Sequence, residues 1–482
     1  MAGIGVKLNK IFKQETISAN LVGYSYSLVA TILPMLSIIG AVALMHLTLD
    51  YKHTQYSGRW LVSDTLLYIC IFSLIICSPL NSVLSKFLSD VVCDEKYDDV
   101  MPCYYVGLFL STLVVCIVGT CFCLWEYFVG KVPINFVFAG YCGFVSLTFV
   151  FYSMIYLIVC KDYVRISRFF LEGMGISVIL SWIFVYLFNV DLFFSMLVSI
   201  DAGFLIIAIL EFALVKSYFR ENSRNYQKVF DYLRRHKKLM LANFFFILGL
   251  FIHNFVFWST DMHTVVASTF VSAINYDLAT FLSMITNMTV NVIFIVRLAM
   301  EFHFRYKEYM EAVIGGRGID IDRTKQRMFR IMSEELVNTA RWQFIITLIG
   351  ATVMSVILPA VGMTGQTMRI YPCMCTGYFI LFIMYCGIMF LYYLDDTIGA
   401  LLASLTFCLN TFIVAFIATR MPDCWYGLGV TIGAFSGWCV VYYRLQRMEK
   451  RIDAHIFCRG YLLKKRKENK PSSKIFDRKS IR

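Results

Sequence analysis

Apolar stretches of twenty or more residues recur along the whole chain, separated by short polar connections. Each can cross a ~30 Å hydrocarbon core as a helix. Lipid offers no hydrogen-bond partners, so a spanning helix must satisfy its backbone groups within itself. The pattern predicts an all-α polytopic membrane protein. We place twelve spans at about residues 21–47, 62–87, 103–125, 134–160, 168–189, 192–215, 239–260, 272–297, 342–360, 370–394, 397–419 and 424–446. A hydrophobic content of 59% and a mean hydropathy of +0.67 lie far above those of soluble proteins.

The net charge of +12 would point to nucleic acid in a soluble protein. Here topology accounts for it, because 39 of the 44 Lys/Arg fall on one set of alternate segments. Only Lys52, Arg59, Lys131, Arg369 and Arg420 fall on the other. The positive-inside rule makes the rich side cytoplasmic and places both termini there, in a cytoplasmic (inner) membrane. Anionic lipid is the expected partner of these charges, and nucleic acid is not.

The most basic connection, residues 216–238, carries eight Lys/Arg against Glu221 and Asp231, almost midway along the chain. It divides an N-terminal lobe (1–215) from a C-terminal lobe (239–446), followed by a basic tail (447–482). Six spans per lobe suit the repeat logic of secondary transporters, although the halves share no residue-level similarity. Residues 3–19 read as an interfacial amphipathic segment, too polar for a cleavable signal peptide. Residues 298–341 read as a cytoplasmic hairpin of two charged helices, turning at Gly315-Gly316-Arg317-Gly318. No strand precedes those glycines and no GK[ST] follows, so they do not form a phosphate loop. From residue 461 the tail reads as disordered.

The expected outer connections are short, which leaves no room for an extracytoplasmic catalytic domain and argues against an enzyme. Sixteen cysteines form no CxxC pair, and Cys121-Phe-Cys123 and Cys373-Met-Cys375 lack convergent His or carboxylate partners. They read as small buried hydrophobes, with no metal, cofactor or disulfide framework expected.

Ionisable groups inside spans cost about 2.5–3.5 kcal/mol at a helix centre, which makes them functional candidates. Asp277, Thr280, Met284, Asn287 and Asn291 recur at spacings of three and four and form one polar stripe. That stripe either lines a cavity or bonds neighbouring helices. His253 and Asn254 are adjacent and point in different directions; the histidine is either a protonation switch or a satisfied buried group. Asp201 is the best buried carboxylate for ion coupling. Glu211 reads as interfacial, Asp64 as near an outer end, and Asp395-Asp396 as a solvated capping turn.

Gly3-Ile4-Gly5-Val6-Lys7-Leu8, Gly23-Tyr24-Ser25-Tyr26, Phe87-Leu88-Ser89-Asp90 and Glu95-Lys96-Tyr97 resemble the PelG exopolysaccharide-exporter family of the multidrug/oligosaccharidyl-lipid/polysaccharide flippase superfamily. The run from Leu248 through His253 and Asn254 to Trp258 continues the likeness, as do Tyr276-Asp277, Phe281-Leu282, Glu301-Phe302, Tyr306, Tyr309 and Gly315-Gly316. The chain departs from the family at His253-Asn254, where an Asp-Lys pair is usual, and at Leu33, where a glycine precedes the proline. The resemblance implies two six-helix lobes around a cavity that faces each side in turn. It also implies an amino-sugar polymer or lipid-linked glycan as cargo, and a synthase assembly with a cytosolic glycosyltransferase and other membrane subunits. An ion-coupled multidrug exporter and a non-transporting scaffold for the glycosyltransferase are the alternatives.

Overall fold

The computed structural model describes residues 17–49, 56–94, 96–160, 162–297, 302–360 and 365–467. The first half holds α1 (Ile17–Thr48), α2 (Tyr56–Cys93), α3 (Val100–Phe128), α4 (Ile134–Val159), α5 (Tyr163–Trp182) and α6 (Leu192–Tyr218). A π-helical turn, Ile183–Leu187, prolongs α5. A short helix, α7 (Tyr226–Arg235), lies in the basic connection. The second half begins with α8 (Lys237–Trp258), followed by an antiparallel hairpin of β1 (Thr264–Val266) and β2 (Phe270–Ser272). After it come α9 (Ile274–Arg297), α10 (His303–Gly315), α11 (Gly318–Ala360), α12 (Gln366–Tyr393), α13 (Thr397–Ala418) and α14 (Leu428–Lys467).

The protein is an all-α polytopic membrane protein. Among the described residues, ten helices are long and apolar enough to cross a membrane. The two remaining expected spans, 21–47 and 272–297, coincide with α1 and α9.

Some elements differ from the sequence expectation. The hairpin was not foreseen, because strands of three residues leave no readable alternation. The second charged helix of residues 298–341 does not stop before the membrane, since α11 runs unbroken through Arg341 and Trp342. No glycine or proline stands between residues 319 and 349 to break it. α14 likewise continues past residue 446 to Lys467, so the first residues of the expected disordered tail are helical. Residues 1–16 of the amphipathic segment and 468–482 of the tail lie outside the described residues.

The helices pack in two groups. In the first, α1 packs on α5, α2 on α3 and α4, α4 on α3 and α6, and α5 on α6. In the second, α8 packs on α13, α9 on α11 and α12, α12 on α11 and α14, and α13 on α14. Number the six long helices of each half in order, leaving out α7 and α10, and these two patterns are the same. Burial repeats as well. α4 and α12 are each more than half enclosed, whereas α3 and α11 turn rows of apolar side chains outward, Phe109 and Ile117 on one, Phe344 and Val356 on the other. This repeat is one of packing, which needs only helices of the right length with apolar faces.

The groups meet mainly where α2 lies along α8, with a lesser contact of α1 on α9. Pro79 inside α2 cannot donate to the Ile75 carbonyl, and the Ser78 hydroxyl bonds that carbonyl instead (3.1 Å). α2 also lends Ile71 and Ile75 to the core of the second group, so each core reaches across the boundary.

Candidate functional site: the seam between the lobes

The α2–α8 seam has two ends, one at the β-hairpin and one at the basic connection. At the hairpin end, Tyr68 on α2 lies flat on Trp258 of α8, with centroids 5.1 Å apart and planes within 5°. One turn further along, Phe72 stacks on Phe255 at 5.9 Å. The Tyr68 hydroxyl donates to the Val271 carbonyl (2.8 Å) and accepts from the Val271 N–H (3.0 Å), pinning β2 to the first lobe.

Trp258 connects this aromatic layer to a carboxylate. Its indole N–H reaches both oxygens of Asp277 (3.1 and 3.0 Å) in the first turn of α9. The Asn254 amide donates to the same carboxylate at 2.7 Å, and the Ala273 N–H at 3.0 Å. Asn254 and Trp258 are one helical turn apart, so α8 presents both donors on one face. Asp277 lies close enough to Asp64 on α2, itself 3% exposed, to act on it electrostatically. Among the described residues, no Lys or Arg pairs with either carboxylate.

His253 points the other way. Its Nδ1 meets the Tyr276 hydroxyl at 2.9 Å, while its fully buried Nε2 makes no hydrogen bond. Tyr276 in turn stacks on Phe257 with centroids 3.9 Å apart. His253, Asn254 and Asp277 are therefore brought together around the joint between α8 and α9.

The other sequence candidates lie elsewhere. Asn287 is buried where α9, α11 and α12 meet. Its amide donates to the Ser283 and Cys375 carbonyls, and its oxygen accepts from Gln343 (2.7 Å) and Thr347 (2.6 Å). This network ties the three helices together, although the buried Gln343 Oε1 makes no hydrogen bond. The side chain of Asn291 lies outside the described residues. Asp201 lies inside the first lobe, facing Gly143 of α4, and neither of its oxygens has a hydrogen-bond partner. A Cβ at residue 143 would strike that carboxylate, so glycine is what admits it. Glu211, nearly three turns further along α6, is fully buried and equally unpartnered rather than interfacial.

At the other end of the seam, the Asn243 amide on α8 donates to the Ser78 carbonyl on α2 at 2.6 Å. Lys86 on α2 reaches Asp395, in the turn joining α12 to α13, at 2.7 Å. Tyr232 of α7 donates to Asp90 at 2.5 Å and packs edge-on against Phe87. His236 stacks on Tyr232 and accepts burial at a cost, its imidazole held below its usual pKa by desolvation first and by nearby Lys86 second. Asp396, beside Asp395, caps α13 through the Gly399 N–H and binds Arg444 through both oxygens.

Sequence reading missed Tyr68 and Lys86, took Trp258 only as part of the family likeness, and gave Asp395 only a capping role. The one available signal was the spacing of Asn254 and Trp258, which puts two donors on one face of α8. Among the described residues, no group of three or more His, Cys, Asp or Glu is placed to hold a metal. The two ends of the seam are held by separate sets of contacts.

The sequence matches the PelG family, described as an exopolysaccharide exporter (EPS-E), over residues 1–457. No curated protein matches it. Among solved structures it is similar to a multidrug-resistance MATE transporter of the MOP superfamily in its outward-facing form: TM-score 0.60, 10% identity, covering 89% of this chain and 96% of that one. An inward-facing MATE structure of the same superfamily gives 0.59, at 11% identity, covering 87% and 95%. The Vibrio cholerae MATE transporter VcmN in its bent form gives 0.59, at 12% identity, covering 93% and 99%. At these identities the likeness is one of fold.

Proposed function

The chain belongs to the PelG exopolysaccharide-exporter family and is a membrane transporter, not an enzyme; we propose that it passes a Pel-like amino-sugar polymer, or a lipid-linked precursor of one, across the cytoplasmic membrane. The observation that carries this reading is the repeated helix packing, with a seam of separate contacts at each end. Twelve spans with both termini and the basic connection in the cytoplasm fit the charge distribution. The hairpin end is then outer and the Lys86–Asp395 end inner. Rocking the lobes about α2 and α8 would open one end at a time.

A growing polymer implies a partner that elongates it. A cytosolic glycosyltransferase and further membrane subunits fit α10, α11 and α14, which project together on the basic side. There Tyr309 and Lys325 both bind Asp453, at 2.8 and 2.5 Å. Cargo movement can be tested with proteoliposomes holding this chain and the glycosyltransferase, following labelled polymer into the lumen. Accumulation is expected only when the chain is present. Equal accumulation without it would reduce the protein to a scaffold.

Asp201 favours a second reading, an ion-coupled exporter of the multidrug type, because a buried carboxylate without a partner is poised to bind a cation. Asp201→Asn separates the two. Loss of drug efflux with unchanged polymer secretion supports the second reading, and loss of secretion joins Asp201 to the first.

A further inference from the structure

Three carboxylates gather around the Tyr68 hydroxyl at the hairpin end of the seam: Asp64 of α2, Glu126 of α3 and Asp277 of α9. All three hold the chain between Thr269 and Ala273. The Ser272 hydroxyl donates to Asp64, the next residue's N–H donates to Asp277 (3.0 Å), and the Thr269 hydroxyl pairs with Glu126. Carboxylates from opposite lobes thus grip consecutive residues, Ser272 and Ala273.

Their negative charge is unequally met. Asp277 receives N–H groups from Asn254, Trp258 and Ala273. Asp64 is 3% exposed, and its sealed Oδ2 makes no hydrogen bond. Among the described residues no Lys or Arg pairs with any of the three. Arg59, earlier on α2, acts on His46. The hairpin and α8 face the cluster with neutral groups, Thr269, Ser272, Asn254 and Trp258, while His253 turns away to Tyr276. Like charges enclosed in one site cannot all ionise without a large penalty, because protein screens them far less than water does. A metal ion needs several oxygen ligands, and among the described residues no cluster is placed to supply them. A proton needs no coordination shell.

We infer that closing the hairpin end binds one proton, seated on Asp64 and shared with Asp277 across the seam, and that opening releases it to the outer water. This rests on the reading in which the lobes rock and the hairpin end is the outer one. As Ser272 and Ala273 draw away, water reaches Asp64, its O–H bond breaks, and water takes the proton. The two carboxylates titrate as a pair. Acid outside therefore favours the closed outer end, and alkali its opening.

The test is hydrogen exchange of the purified full chain in phosphatidylglycerol nanodiscs without cargo. It is read as protection of residues 264–273 relative to the intrinsic amide rate at each pH. Protection is expected to fall as pH rises from about 5.5 to about 8.5, by up to about tenfold per pH unit, the limit for one linked proton. Asp64→Asn stands for the protonated acid and should hold protection level across the range. Asp277→Asn removes the repelling charge and should shrink the total fall, whatever it does to the baseline. Protection that stays level or rises in the unaltered chain overturns the inference, as does an undiminished response in a folded Asp64→Asn variant. Should that variant fail to fold, an undiminished response in Asp277→Asn overturns it instead. A response that requires sodium in the buffer also overturns it, by assigning a metal cation to the site. With no cargo present, this outcome is separate from that of the export assay.

Discussion

Lys86 and Asp395 face each other 2.7 Å apart across the boundary between the lobes, one on α2 and the other in the turn between α12 and α13. Both side chains are partly exposed, so their direct contribution to stability is small, about 0.2–1 kcal/mol. That is still enough to shift an equilibrium between two lobe arrangements by up to about fivefold.

Charge reversal should therefore move the conformational balance more than the melting temperature. Lys86→Glu is expected to open the linker end, and adding Asp395→Lys to restore it. Spin-label distances across that end would report both. A double variant no closer to the unaltered distances than the single one would show that the pair does not latch the lobes.

Trp258 both stacks and donates, and two substitutions separate the roles. Trp258→Phe keeps a ring against Tyr68 but withdraws the N–H from Asp277, costing about 1–3 kcal/mol of local stability. Trp258→Leu loses both and should expose the hairpin end further. Labelling of a cysteine placed at Val271 is expected to rise in the order unaltered, Phe, Leu.

Asn287→Leu should destabilise the whole second lobe. It strands the Thr347 hydroxyl and one Gln343 N–H in a buried site, at about 1–3 kcal/mol for each unmet group, while the other Gln343 N–H keeps the residue-287 carbonyl (3.1 Å). Melting in detergent should fall accordingly. Secretion would be lost with it, whether or not Asn287 touches cargo, so secretion alone says nothing of its place in a path.

His236 predicts a response to acid. Burial holds its folded-state pKa below the ordinary 6.5, with Lys86 acting in the same direction and Asp395, Asp90 and the Tyr232 carbonyl opposing. The folded chain thus binds the proton less readily than the unfolded one. Stability from this group is complete well above 6.5 and falls as pH drops below it. Hydrogen-exchange protection across residues 226–238, taken relative to the intrinsic amide rate at each pH, should fall between pH 7.5 and 5.5, and His236→Gln should flatten that change.

The spans were legible because lipid leaves a chain few options, and residues 134–160 or 397–419 carry that constraint in composition alone. The seam was not, because its parts are far apart in sequence. Tyr68 and Val271 are 203 positions apart, and Lys86 and Asp395 are 309 apart. The stripe on α9 shows a subtler limit. Its period groups Asp277 and Asn287, but they lie nearly three turns apart and meet different neighbours: Trp258 of α8 at one level, Gln343 and Thr347 of α11 at the other. Periodicity gives a direction, and depth decides what waits there.

The hairpin belongs by chain to the second half and by attachment to the first. Tyr68 grips its backbone at Val271, and Phe270 packs edge-on against Tyr68 and Phe122 of the first half. The halves thus carry a registration mark that does not depend on the peptide joining them. A first fragment ending after Tyr218 and a second starting at Tyr226 would still have one aligned docking point each. Severing the connection would then leave the pairing of the lobes specified, and the protein would tolerate being made in two pieces.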